Sequence, residues 1–291
     1  SWRNKRILYK GIRLRLNNVT MNDKLNQIIP FMPPYKEGYY PGMIYDIPRN
    51  LFYQDCLREC KDKICADVGF GTGLLTLIAL HHGAKHVYAY ENEPTTFEFG
   101  KEIIETLGLS SKVTFIKGKY QPLDEEIIFS EIVDRSIWGE GLKSVREIAK
   151  GKLLPATVSC NIRCDRLKDS YIKPTDGLAD TGLPFNDAYN EAIEYLLSSN
   201  EYASYDDVGK NILNGDILNS YKIDLNKDSI PDRIEIDIDI PYDNAIIWCE
   251  NFIDNFRLMD GHWRSDKIIH KFKKGKVKFI QSTENGSWWL E

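Results

Sequence analysis

Two groups of residues in this sequence have types and spacing suited to chemistry. The first is Asp67-Val68-Gly69-Phe70-Gly71-Thr72-Gly73, with Glu91 downstream. Glycines at alternate positions let a backbone turn tightly and approach a ligand, and a helix starting after them offers unpaired N–H groups. A dinucleotide fingerprint would read Gly-x-Gly-x-x-Gly, whereas here Asp67 precedes Gly69-x-Gly71-x-Gly73. Glu91 is suited to accept hydrogen bonds from two ribose hydroxyls. Acid, glycine loop and second acid together point to S-adenosylmethionine (SAM) rather than NAD, and a loop that merely packed helix on strand would leave Glu91 unexplained. The second group is Ser130-Glu131-Ile132-Val133-Asp134-Arg135-Ser136-Ile137-Trp138-Gly139-Glu140. Two carboxylates that fold back to face one another can grip a planar cation through charge-assisted, bidentate hydrogen bonds, and guanidinium is such a cation. Two solvent-exposed loop acids fit the same spacing.

These residues need strands and helices to place them. Ile64 to Val68 is a short apolar run, and Leu74, Leu75, Leu77, Ile78 and Leu80 have helical spacing that stops near Gly83. His86 to Tyr90 predicts a second strand ending at Glu91, and Pro94 opens a helix reaching Gly108. Val113–Ile116 and Ile127–Phe129 predict further strands, the last one delivering Glu131. Alternating strands and helices argue for a parallel, doubly wound sheet, in which ligands bind at the carboxyl ends of the strands. Beyond Pro155 the pattern changes to a period of two in 157–162, 221–223, 234–240 and 245–248, which predicts an antiparallel second domain interrupted by a helical pattern over 186–198.

Composition limits the alternatives. At 291 residues, 42% hydrophobic, the chain can build one or two substantial cores and is not a disordered or fibrous sequence. No apolar run is long enough to cross a bilayer, and no apolar stretch follows the basic start, so a soluble, intracellular, cytoplasmic protein is expected. A net charge of −5 gives nucleic acid no general attraction, and the basic leader (Arg3 to Arg15) reads as a solvated terminus. Six cysteines without CxxC spacing read as packed, reduced thiols, and no metal is expected at the site. Asp224-x-Asn226-x-Asp228 with Glu235 follows the spacing of a calcium loop, but Ser229 stands where the turn wants glycine, and a hairpin turn fits as well.

The glycine motif, the Tyr88-Ala89-Tyr90-Glu91 strand, Ile116-Lys117-Gly118-Lys119 and the Glu131 to Glu140 loop occur in one order. With Met43 to Tyr53 upstream and Gly261-His262-Trp263 downstream, the chain resembles the protein arginine methyltransferases from about Tyr39 to Trp263. The resemblance implies an α/β fold: a Rossmann-like SAM-binding domain (49–155) after an N-terminal segment (1–48), then a β-barrel-like domain (156–291) with a helical dimerisation arm at about 180–218. It implies that Arg49 pairs the SAM carboxylate, that Glu91 holds the ribose, that Gln121 lies near the adenine, and that Asp67, Gly69, Gly71 and Gly73 form the cofactor loop. Glu131 and Glu140 would hold the substrate guanidinium, and Asp46 would pair with His262. A homodimer acting on arginine in a protein or peptide is expected, with a small guanidine such as free arginine, or a catalytically silent binding module, as alternatives. Tyr40 departs from the family's histidine, Gly261 from its threonine, and the loop after Glu131 lacks the usual Trp-Met-Gly. The strands after Trp263 look short.

Overall fold

The computed structural model describes residues 43–134, 136–166, 215–243, 245–258 and 267–291. Its first half is a parallel sheet. Strands β1 (Ile64–Val68), β2 (His86–Glu91), β3 (Val113–Lys117), β4 (Ile127–Ser130) and β5 (Lys152–Leu154) lie in the order β3-β2-β1-β4-β5. Every neighbouring pair is parallel. The order reverses between β1 and β4, with Val68 beside Ser130, so the glycine loop and the Glu131 loop leave the sheet side by side at its switch point.

Helix α1 (Ile47–Cys56) is started by Asp46, whose side chain caps it, and by Pro48, whose missing N–H costs nothing in the first turn. Its i, i+4 pair Arg49 and Tyr53 is buried, while Ile47 and Leu51 on the opposite face are exposed. Helices α2 (Leu74–His81), α3 (Pro94–Thr106) and α4 (Leu142–Ile148) follow β1, β2 and the Glu131 to Glu140 loop respectively.

The second half is antiparallel. β6 (Thr157–Arg166), β7 (Asp216–Asp224), β9 (Ala245–Ile253) and β10 (Phe256–Arg257) form one sheet in the order β10-β9-β6-β7, with β11 (Lys267–Phe272) also on β9. β8 (Arg233–Ile240), β12 (Gly275–Ser282) and β13 (Trp288–Leu290) form another, in the order β13-β12-β8. β6 alternates between core and outer face along nearly its whole length, as the period of two predicted. A single hydrophobic cluster crosses from one half to the other, joining Val68, Phe129 and Trp138 to Val158, Ile223, Leu225 and Ile253. Phe52 of α1 stacks on Phe256 of β10, ring centroids 5.1 Å apart.

Two expectations need correction. The strands after Trp263 are not all short: β12 has eight residues and pairs with β8 over its full length. The calcium-like segment is not a hairpin. It turns the corner between β7 and β8, which lie in different sheets. The Asn226 amide is committed to both backbone groups of Leu153, accepting from its N–H (2.7 Å) and donating to its carbonyl (3.1 Å). Among the described residues no group of His, Cys, Asp and Glu could hold a metal ion. All six cysteines are free thiols, and five of them are buried. No described helix is long and apolar enough to cross a membrane. Of the expected arm (about 180–218), residues 180–214, including 186–198, lie outside the described residues, while 216–218 belong to β7 rather than to a helical arm.

Candidate active site

The cofactor side is built where β1 ends. Gly69, Gly71 and Gly73 have φ of +82°, +56° and +82°, the left-handed region that side chains resist, so the turn demands glycine. The N–H groups of Gly69 and Phe70 both donate to the Tyr90 carbonyl (3.0 and 2.8 Å), stitching the turn to β2. Space also excludes a side chain at Gly100 of α3, where a Cβ would lie 2.3 Å from the Gly71 carbonyl oxygen. Asp67 is 1% exposed. Its Oδ2 accepts from the Thr76 hydroxyl (2.7 Å), while Oδ1 is buried without a hydrogen-bond partner. Burial pushes this carboxyl up to about 7, helped by the charge of Glu91 and opposed by Thr76 and Arg49.

Glu91 bridges the loop to the next turn. One carboxylate oxygen accepts from Gly71 N–H (3.0 Å) and the other from Glu93 N–H (2.8 Å). Glu93 in turn caps α3, accepting from Thr96 N–H at 2.6 Å. Gln121 is exposed on the segment after β3, and its carbonyl accepts from the Tyr90 hydroxyl (2.7 Å).

Arg49 and Glu131 meet, although the resemblance implied cofactor binding for one and substrate binding for the other. Arg49 is 1% exposed, and its Nε and Nη2 reach the two carboxylate oxygens of Glu131. Nη1 donates to the Asn50 side chain (2.6 Å), and the guanidinium lies 5.3 Å from the Tyr53 ring centroid. The Tyr53 hydroxyl donates to the Ser130 carbonyl (3.1 Å), tying α1 to the end of β4 beside Glu131. Asp46 accepts from Arg49 N–H (3.1 Å), so it fixes the helix turn that carries the arginine. His262, its expected partner, lies outside the described residues with Gly261, Trp263 and Tyr40.

Glu140 stands at the rim. Its residue surface is open, yet the surrounding protein desolvates its carboxyl, and with the negative charge of Asp134 this pushes it up to about 7. Asp134 itself organises the loop, its Oδ1 accepting from the Ser136 N–H (2.9 Å), the Ser136 hydroxyl (2.6 Å) and Gly139 N–H (3.2 Å). Sequence reasoning did not single out Tyr53, Thr76 or Asp134. The four-residue spacing of Arg49 and Tyr53 on a capped helix was a usable signal for the first of these.

No family model matches the chain. Among curated proteins it is 35% identical over 126 residues to protein arginine N-methyltransferase 1 of Oryza sativa subsp. indica, covering 40% of this chain and 32% of the rice protein. It is 32% identical over 152 residues to the Saccharomyces cerevisiae protein of the same name, covering 47% of this chain and 43% of the yeast protein. These matches span less than half the length of either relative. Among solved structures, PRMT6 with SAH matches 87% of this chain and 99% of its own at a TM-score of 0.64 and 16% identity. A Trypanosoma brucei PRMT1 enzyme-prozyme complex with AdoHcy matches 84% and 87% at a TM-score of 0.60 and 19% identity. The fold is thus that of these enzymes: a Rossmann-like half followed by antiparallel sheets.

Proposed function

We propose that this chain, a relative of the protein arginine N-methyltransferases with their fold, is a SAM-dependent N-methyltransferase that acts on the guanidinium of arginine in a protein or peptide. The observation that carries this reading is Glu131. It leaves β4 at the switch point beside the glycine loop, and it already binds a planar guanidinium with both oxygens, that of Arg49. When Arg49 turns to the amino-acid carboxylate of SAM, both Glu131 oxygens are released and can take the guanidinium of a substrate arginine in its place.

The residues on the cofactor side fit SAM. Asp67 keeps a buried, unpartnered oxygen that a ligand donor would satisfy, and Glu91 ends β2 with a carboxylate reaching the glycine loop. Arg49 would hold the amino-acid carboxylate, the glycine turn the body of the ligand, Glu91 the ribose and Gln121 the adenine. When bound, SAM supplies an electrophilic methyl group on its sulfonium. The chain's own task is to orient the acceptor nitrogen. A guanidinium is a poor nucleophile because its charge is delocalised. Glu131 and Glu140, gripping its N–H groups, draw positive charge toward themselves and away from the attacking nitrogen. Glu140 can take part in charged form once its carboxyl is ionised, which the guanidinium itself favours. Asp46 and His262 would support the site from the α1 side. No metal is required.

A homodimer belongs to the same reading. Ile44, Tyr45, Ile47 and Leu51 leave an apolar face open at the start of α1, suited to an arm from a second copy.

Incubation with methyl-labelled SAM and separate pools of protein, arginine peptides and free guanidines tests the proposal. Label is expected in protein or peptide arginine and absent when Glu131 is changed to Gln. Label confined to free guanidines would overturn the substrate class, and no label in any pool would overturn the activity.

A further inference from the structure

The described residues of the loop from Glu131 to Glu140 form neither helix nor strand, so their shape must be imposed from elsewhere. At its centre Ile137 has φ of +77° and is fully buried. A β-branched residue rarely adopts this conformation, and it persists only where its surroundings over-determine it. Part of the constraint is local: Asp134 draws Ser136 and Gly139 toward its carboxylate, and Ile137 N–H donates to the Asp134 carbonyl (2.9 Å). The rest comes from the antiparallel half. The Gln281 amide of β12 donates to the carbonyl of Ser136 (3.2 Å) and to that of Gly286 (3.3 Å). Its oxygen accepts from the Tyr221 hydroxyl of β7 (2.8 Å), and that hydroxyl oxygen accepts from the indole N–H of Trp138 (3.2 Å).

We infer that Tyr221 and Gln281 are positioning residues that clamp the substrate loop on both sides of Ile137, fixing where Glu140 stands relative to Glu131. The chain of hydrogen bonds starts at Ser136, immediately before the strained residue, passes through Gln281 and Tyr221, and returns at Trp138, immediately after it. Gln281 and Trp138 are fully buried. Cutting the chain anywhere therefore leaves polar groups with no water to replace the lost partner. The turn between β12 and β13 is pressed against the loop as well, since a Cβ on Gly286 would lie 1.7 Å from the Ser136 hydroxyl oxygen. Glu140 follows Trp138 by two residues, so the indole held by Tyr221 sets the direction in which the chain presents that carboxylate. Burial holds the Tyr221 hydroxyl above its ordinary pKa, which keeps it protonated as the donor the clamp needs.

The inference rests on the proposed role of the two carboxylates, and the experiment separates the two. Tyr221→Phe keeps the ring and removes only the hydroxyl. It is expected to lower kcat/KM for the guanidine substrate about tenfold, with SAM affinity changed less than about twofold. In a Glu140→Gln background the same substitution should cost less than about threefold, because the carboxylate it places is already gone. An equal loss in both backgrounds, no loss at all, or an equal loss of SAM affinity would overturn the clamp. A readout independent of activity is the 5-fluorotryptophan resonance of Trp138, assigned through Trp138→Phe. Tyr221→Phe and Gln281→Leu, which acts at the far end of the clamp, should each displace or split it. A resonance indifferent to Gln281→Leu refutes the inference. If the wild-type chain methylates no guanidine while the resonance responds as expected, the proposed function fails and the clamp stands.

Discussion

Asp67 offers a test in which stability and binding move in opposite directions. Its carboxyl is 1% exposed, has one oxygen without a partner, and is pushed from 3.8 to about 7 in the folded chain, chiefly by burial. The sign follows from proton counting. Between these values the folded chain holds a proton that the unfolded chain has released, so stability falls as pH rises from about 4 to about 7 and stays low above that. The gap corresponds to about 4 kcal/mol withheld from the folded state at pH 8. Asp67→Asn cannot ionise and still offers Thr76 an acceptor. It also buries an amide N–H group at the place of the unpartnered oxygen, a fixed cost of about 1–3 kcal/mol at every pH. The variant should therefore be the less stable chain near pH 4–5 and gain on the wild type by about 4 kcal/mol by pH 8. Urea unfolding at half-unit intervals over that range reads the difference directly. SAM affinity should fall in the same variant, since a donor aimed at that oxygen meets an N–H group instead. A stability difference that does not vary with pH would refute the argument.

Three further outcomes are expected. Glu131→Gln should lower methyl transfer at least about a hundredfold, and it should also destabilise the fold by about 1–3 kcal/mol because the charge-assisted pair that the buried Arg49 makes with Glu131 is weakened; a variant with native turnover removes the basis of the guanidinium reading. Glu91→Ala should weaken SAM binding more than Glu131→Ala does, by calorimetry, and equal losses would sink the assignment of the two acids. With Glu140 pushed up to about 7, kcat/KM should fall as pH drops below about 7, and Glu140→Gln should abolish that limb of the profile; a limb that survives the substitution belongs to another group.

What could be read from the sequence was what is local in it. β1, α2, β2 and α3 announce themselves through apolar periodicity punctuated by glycine and proline, and the structure places each within a residue or two of its expected limits. The glycine turn was legible because alternate glycines have few other uses. α4 and β5 were not named, since seven and three residues are too short to establish a period. The pairing of Arg49 with Glu131 spans 82 positions, and no pattern along the chain links them. Gln281 is 145 positions from the Ser136 carbonyl it holds, and in the sequence it is one polar residue in an alternating strand. Asp134 carries no sequence signal of its own, being one acid between Glu131 and Glu140, yet it is the acid that gives the loop its turn.

The cluster that runs from Phe129 and Trp138 to Val158, Ile223 and Ile253 has a consequence for how the molecule comes apart. A chain cut after Pro155 would carry the whole parallel sheet and the glycine turn, yet it would expose the apolar wall that the antiparallel strands now cover. It would also lose the Asn226 amide, which satisfies both backbone groups of Leu153 on β5, one of the two edge strands of the parallel sheet. An uncovered strand of that kind recruits other chains. The two halves are thus one cooperative unit that should melt in a single transition, and a ligand seated in the first half raises the resistance of the second to proteolysis without touching it.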